Sequence, residues 1–207
     1  MAEQSPRGRH RILSDEVILA AALRTFADEG YEAMSVRHLN AELGLSHETI
    51  RQRFGAKKQL FFATVDFAVA DFFRAMAIEL ESMPPATNDL EELRRAVRAY
   101  VTTSMKLPQL SNLINHESTT LNERMEYIFN AAFVPGMQMV SGPLEHLVAQ
   151  GVVHPITVRD AFFLVRAGMA PFTQRGLSQA FDSLCGPLDE AGHVDHFLDV
   201  FFRGLMR

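Results

Sequence analysis

At 207 residues with 47% apolar side chains, the chain can bury one large core or a small one joined to a medium one. No apolar run reaches the roughly 20 residues that span a bilayer, and the opening MAEQSPRGRHRILSDE has no apolar segment of the kind a secretory signal needs, so a soluble, cytoplasmic protein is expected. The net charge of −5 argues against a polyanionic partner, and the single cysteine, Cys185, excludes an internal disulfide and a thiolate metal cage.

The average charge conceals an uneven distribution. Residues 1–60 hold nine Lys/Arg against eight Asp/Glu, whereas the remainder holds eleven against seventeen. In the first part the bases gather at Arg7 to Arg11 and at Arg51 to Lys58. A local basic surface on an acidic molecule follows.

Taken in chain order, the pattern is all-α, because Pro and Gly separate apolar-periodic segments of helical length and no stretch alternates in the manner of a strand. Ser14 caps a first helix, with Asp15 and Glu16 at its positive end, and Leu19, Ala22, Leu23 and Phe26 form one buried stripe that Gly30 ends. A second short helix opens at Ser35, turns Val36, Leu39 and Leu43 inward and stops at Gly44. Ser46 is placed to cap a third, on which only Ile50 and Phe54 face the first two helices, while His47, Glu48, Thr49, Arg51, Gln52 and Arg53 carry polar heads outward. Two short helices joined by a Gly-containing turn, the second polar on its outer face, make a helix-turn-helix unit whose second helix enters the major groove of DNA.

Beyond Lys57 the texture changes. Phe61, Val65, Ala68, Val69, Phe72, Met76 and Leu80 make a long stripe, with Phe62, Phe67 and Phe73 adding apolar surface on other sides. Pro84-Pro85 ends that helix, and another is expected over Leu90 to Leu107. Pro108 begins a short irregular or helical piece. Glu123 to Gln150 reads as a helix kinked at Pro135-Gly136 and Gly142-Pro143, and Thr157 to Phe181 and Glu190 to Met206 read as the last two helices.

The spaced set Phe26, Gly30, Tyr31, Leu39, Ala41, Leu43, Gly44, Ser46, Ile50, Phe54, Lys57 and Leu60 resembles the DNA-binding segment of the tetracycline-repressor (TetR) family of bacterial transcriptional regulators. The resemblance is close over Ser14 to Phe61 and beyond that rests on helix number and length. It implies a flexible basic arm at 1–13, a three-helix DNA-binding domain at 14–60, and a helical ligand-binding and dimerisation domain at 61–207. Members usually carry tyrosine where this chain has Arg51. A guanidinium there can grip phosphate or read guanine bidentately, and the sequence leaves the two open.

Carried over by position, the resemblance makes Arg37, His47, Thr49, Arg51 and Gln52 the candidates for base edges. Arg53, Lys57 and Ser46 are the candidates for phosphates, and Arg7 to Arg11 for phosphate or an adjacent minor groove. Glu48 is read as charge added to the first turn of its helix. The resemblance also implies a homodimer on a palindromic operator, with Phe162, Val165 and Met169 on one helix and Phe197, Leu198, Phe201, Phe202 and Leu205 on another as the expected seam.

It further implies release from the operator by a small molecule in the second domain. Phe67, Phe72, Met76, Tyr100, Met105, Tyr127 and Phe133 offer aromatic and thioether surface for an apolar or aromatic effector, with Asn112, His116, Arg124 or Arg166 as polar anchors. No cofactor is called for. A metal-responsive regulator on the same scaffold is the alternative, because His193, His196 and Asp199 follow one another at helical spacing and His116-Glu117 lies elsewhere. Activation in place of repression is another. Catalysis is not expected, since the chain has no Gly-rich phosphate loop, nucleophile elbow or HExxH motif.

Overall fold

Ser14 opens the first helix, its hydroxyl accepting the Val17 amide at 3.4 Å in the computed structural model, which describes residues 13–207. The arm expected at Arg7 to Arg11 lies outside the described residues. This helix, α1 (Asp15–Ala33), leaves helical geometry at Gly30, whose φ of 77° lies in the left-handed region. Ser35 caps α2 (Val36–Glu42) through the His38 amide at 3.3 Å, and Gly44, at φ 66°, turns the chain out of it.

The third helix, α3 (Thr49–Phe54), starts later than Ser46 would place it. The Ser46 carbonyl accepts the Thr49 amide at 3.1 Å and its hydroxyl pairs with Thr49 Oγ1 at 2.7 Å, so Ser46 closes a turn ahead of the helix in place of capping it. Glu48 occupies the cap position without a side-chain bond.

The long α4 (Lys57–Ser82) runs without interruption across the boundary read at residue 60. Asn88 caps α5 (Asp89–Lys106), and the segment after Pro108 is a regular helix, α6 (Pro108–Glu117). The stretch read as one kinked helix is α7 (Glu123–Ile128), a π-helical turn over Phe129–Phe133, and α8 (Val134–Ala149). Pro135 supplies the cause: it has no N–H for the carbonyl four residues back, and the turn before it widens. Pro143 is absorbed inside α8.

The expected single helix over Thr157 to Phe181 is a correction. The chain instead forms α9 (Val158–Gly168), α10 (Ala170–Thr173) and α11 (Arg175–Ala180), followed by α12 (Asp182–Cys185). Pro171 starts α10, and Gln174 at φ −110°, ψ 53° leaves helical space, so two breaks fall inside the apolar pattern. The last helix is α13 (Glu190–Leu205), capped by Asp189. Among the described residues there is no strand, only an isolated bridge between Val153 and Met206, and no helix is long and apolar enough to cross a membrane.

Two apolar clusters organise these elements. The first joins α1 to α4 with α6 around Ile18, Phe26, Leu39, Ile50, Leu60 and Phe61, and the second joins α5, α8, α9 and α13 around Val101, Leu144, Leu147, Leu198 and Phe202. Each such side chain, fully buried, contributes about 1.5–3 kcal/mol. The residues nominated for a dimer seam mostly belong to the second cluster: Val165, Met169, Leu198, Phe201, Phe202 and Leu205 are buried within the chain, Phe197 packs partly buried against them, and Phe162 is half-buried. The faces left outside on α9 and α13 carry Phe163, Leu164 and Val200, 63%, 50% and 54% exposed. One step along each helix turns the side chain about 100°, which separates the inward stripe from the outward one.

Candidate DNA-reading surface and effector cavity

The reading helix is held from below by a residue outside the sequence-predicted set. Asn40 lies fully buried on α2, where its Nδ2 donates to the Val36 and His47 carbonyls, both at 3.1 Å, and its Oδ1 accepts the Ile50 amide at 3.4 Å. One side chain therefore ties α2 to the turn and to the first turn of α3. An amide offers two donors and an acceptor, and here all three are used. The available signal was a polar residue one turn after Val36 and beside Leu39 on an inward face.

With Ile50 buried and Phe54 half-buried, α3 turns its other side to solvent. The eight nominated residues divide into two groups. Arg37, His47, Arg51 and Gln52 are exposed, and among the described residues their side chains make neither hydrogen bonds nor ion pairs. The other four are tethered. Ser46 and Thr49 bond each other, Arg53 donates from Nη1 to the Leu13 carbonyl at 2.6 Å and pairs with Asp15, and Lys57 donates to the Glu32 carbonyl at 3.2 Å over the Tyr31 ring. Free, long polar side chains on one helix face suit base edges, whereas tethered ones hold the head together or meet phosphate from fixed positions.

The second feature is an apolar slot between the two clusters. Its cavity volume is about 120 Å³. The slot is therefore narrow. Its walls come from α4 (Val69, Phe72, Phe73, Met76), α5 (Leu93, Ala96, Val97, Tyr100, Ser104), α6, the π turn, α8, α9 and α13. Of the residues nominated for an effector, Phe72, Met76, Tyr100, Phe133 and Arg166 line it. Burial pushes the Tyr100 phenol up, an effect that the neighbouring Arg166 and Ser104 oppose.

Phe67, Met105, Asn112, His116, Arg124 and Tyr127 are not among the residues that line this slot. Three of them instead fasten the two halves of the molecule. Nε2 of His116 donates to the Ala27 carbonyl at 3.1 Å, with its ring against Gly30. Arg124 donates to the buried Glu117 carboxylate at 2.8 Å, reaches Glu32 at 3.2 Å and lies 3.9 Å from the Tyr31 ring centroid. The Tyr127 hydroxyl donates to Asp66 at 2.8 Å while its ring stacks on Phe62 with centroids 4.2 Å apart. The desolvated phenol and the Asp66 carboxylate push the Tyr127 hydroxyl up to about 12. These are junction residues because they sit where α6 and α7 pack on α1 and α4, while Leu110, Ser111 and Ile114 of α6 turn to the slot.

The candidate metal ligands do not converge. Nε2 of His193 donates to the Gly168 carbonyl at 3.0 Å and Asp199 pairs with Arg203, and among the described residues no three His, Cys, Asp or Glu side chains stand together. Ser104 and Ser111, which the sequence reading passed over, do line the slot. Ser104 stands one helical turn after Tyr100, the spacing that could have found it.

Comparison with known proteins bears on both features. Residues 18–64 match the family described as bacterial regulatory proteins, tetR family. No curated protein matches the sequence. Among solved structures, the chain is similar to AibR in complex with isovaleryl coenzyme A and operator DNA (17% identity, 92% of this chain and 98% of that one, TM-score 0.70). It is similar to a TetR family transcription regulator from Marinobacter aquaeolei (19% identity, 92% and 95%, TM-score 0.66). It is also similar to the transcriptional regulator FadR from Bacillus subtilis in complex with stearoyl-CoA (16% identity, 91% and 97%, TM-score 0.66). At these identities the likeness is one of fold. Residues 18–64, the segment around the helix-turn-helix, thus match the bacterial tetR regulatory family, and the chain as a whole shares its fold with these solved structures.

Proposed function

We propose that the protein is a cytoplasmic repressor that binds a palindromic operator as a homodimer and is released by a small apolar or aromatic molecule held in the slot. One observation carries this reading. The single helix α4 packs under α1 and α3 near its start and lines the slot through Val69, Phe72, Phe73 and Met76 further along. Whatever fills the slot bears on the helix that carries the reading head.

In the unliganded dimer, Arg37, His47, Arg51 and Gln52 meet base edges, and Lys57, Arg53 and Ser46 meet phosphates. One head contacts too few bases to be selective, and the palindrome doubles them. The exposed Phe163, Leu164 and Val200 supply the apolar centre of the partner contact, which α9 and α13 make with their symmetry mates. A ligand that favours splayed heads by about 2.7 kcal/mol lowers operator affinity roughly a hundredfold. The likeness to AibR and FadR, each solved with an acyl-CoA, supports an organic effector over a metal ion.

The test pairs oligomeric state with DNA retention. The protein is expected to sediment as a dimer and to shift its selected duplex, and Phe163→Glu with Val200→Glu is expected to give a folded monomer that no longer does. A double variant that remains dimeric would move the seam elsewhere.

A further inference from the structure

The slot holds a cation without an anion. Arg166, on α9, lines it and donates from Nη2 to Asn115 Oδ1, while its guanidinium stands 5.9 Å from the Phe162 ring centroid. Among the described residues no Asp or Glu lines the slot and no carboxylate pairs with Arg166. Among the described residues the guanidinium's one hydrogen bond goes to a neutral amide, which leaves donors for an arriving anion.

Two hydroxyls mark the same end. Ser104 is 4% exposed, lines the slot, and its Oγ has no hydrogen-bond partner. Tyr100, one turn earlier on α5, has its phenol close to both Ser104 and Arg166. A buried hydroxyl without a partner is uncommon enough to need a reason, and a bound oxygen supplies one. Among the described residues Arg166 is the only Lys or Arg in the lining, so the site balances one negative charge. The remaining walls, Phe72, Met76, Phe133, Val140 and Leu144 among them, suit hydrocarbon.

We propose that the slot takes an apolar monocarboxylate, its head bound by Arg166 with the Ser104 and Tyr100 hydroxyls and its aliphatic or aryl tail enclosed by the apolar walls. The inference rests on the slot being the effector site and names the effector's class. A planar carboxylate matches the guanidinium fork with two parallel bonds. A neutral isostere leaves the charge unanswered, and a coenzyme A thioester would add phosphates for which the lining has no second cation.

Calorimetric titration of the full chain without DNA tests this, with octanoate and 4-phenylbutyrate against their primary amides and octanoyl-coenzyme A. The acids are expected to bind about tenfold or more tightly than the amides, as a charge-assisted bidentate contact would give. Arg166→Gln is expected to erase the difference between acid and amide, and Arg166→Lys to keep part of it. Retained amide binding in Arg166→Gln shows that the slot is still folded. Equal binding of acid and amide, binding of the thioester alone, or no binding by either acid overturns the proposal. Because the titration contains no DNA, its failure is separate from a failure of operator release.

Discussion

Asn40 donates to the His47 carbonyl at 3.1 Å from a fully buried position beneath the turn that launches the reading helix. The same amide accepts from Ile50, so the orientation of α3 depends on one side chain without solvent contact. Asn40→Leu keeps the branched shape, with bulkier methyls, and removes all three bonds, leaving the His47 carbonyl and the Ile50 amide unpaired. A loss of about 1–3 kcal/mol is expected in urea unfolding. Amide exchange should rise first at Ile50.

Arg51 and Arg53 sit two residues apart and do different work. Arg51 is exposed with no partner among the described residues, whereas Arg53 is bonded to Leu13 and Asp15 at the start of α1. Arg51→Ala is expected to weaken operator binding without altering the melting temperature. A changed preference at one base position identifies an edge contact, and an even loss with a salt slope smaller by about one identifies a phosphate contact. Arg53→Ala is expected to lower thermal stability and leave base preference alone. Binding titrations over a range of salt, paired with thermal melts, separate the two residues.

Arg124 joins the halves of the molecule by pairing buried Glu117 on α6, Glu32 on α1 and the face of Tyr31. Arg124→Ala strands the Glu117 carboxylate, and a destabilisation of about 3 kcal/mol or more is expected. Arg124→Ala with Glu117→Gln should recover a large part of it, because the buried charge is gone. Denaturant unfolding of both variants measures this. Effector-driven release from DNA should be blunted in each, since the contact between α6 and α1 is weakened.

Tyr127 donates to Asp66 and is pushed up to about 12. A phenol whose folded value lies above its unfolded one, near 10, gives stability that is complete below pH 10 and is lost as pH rises toward 12. Tyr127→Phe is expected to flatten that part of the stability profile. Thermal melts of both proteins between pH 9 and 12 read the difference.

How far the sequence foretold these features varied with the range of the interaction. Ser14, Gly30, Ser35 and Gly44 act within one turn, and the boundaries they imply for α1 and α2 match the structure. Ser46 carries the same capping chemistry, but its hydroxyl found Thr49, and the helix began later. Pro171 and Gln174 broke the segment after α9 because apolar periodicity continued through residues whose backbone could not follow it. In the slot, Phe72, Met76, Tyr100, Phe133 and Arg166 were legible as aromatic, thioether or charged residues on helices expected to surround a ligand. His116, Arg124 and Tyr127 have the same composition and sit at the junction instead, since residue type does not say which neighbour a helix face meets. On the helices expected to form a seam the same limit holds: Val165 and Phe202 are as apolar as Phe163 and Val200, and only packing within the chain decides which are covered.

We propose that two copies of α3 read a palindrome and that filling the slot loosens their grip. Selection of bound duplexes from a random pool, followed by titration of the selected duplex with protein of known concentration, tests it most directly. The expected result is an inverted repeat bound by two subunits and released by a ligand that calorimetry places in the slot. A protein that stays monomeric and retains no duplex at low ionic strength would contradict it.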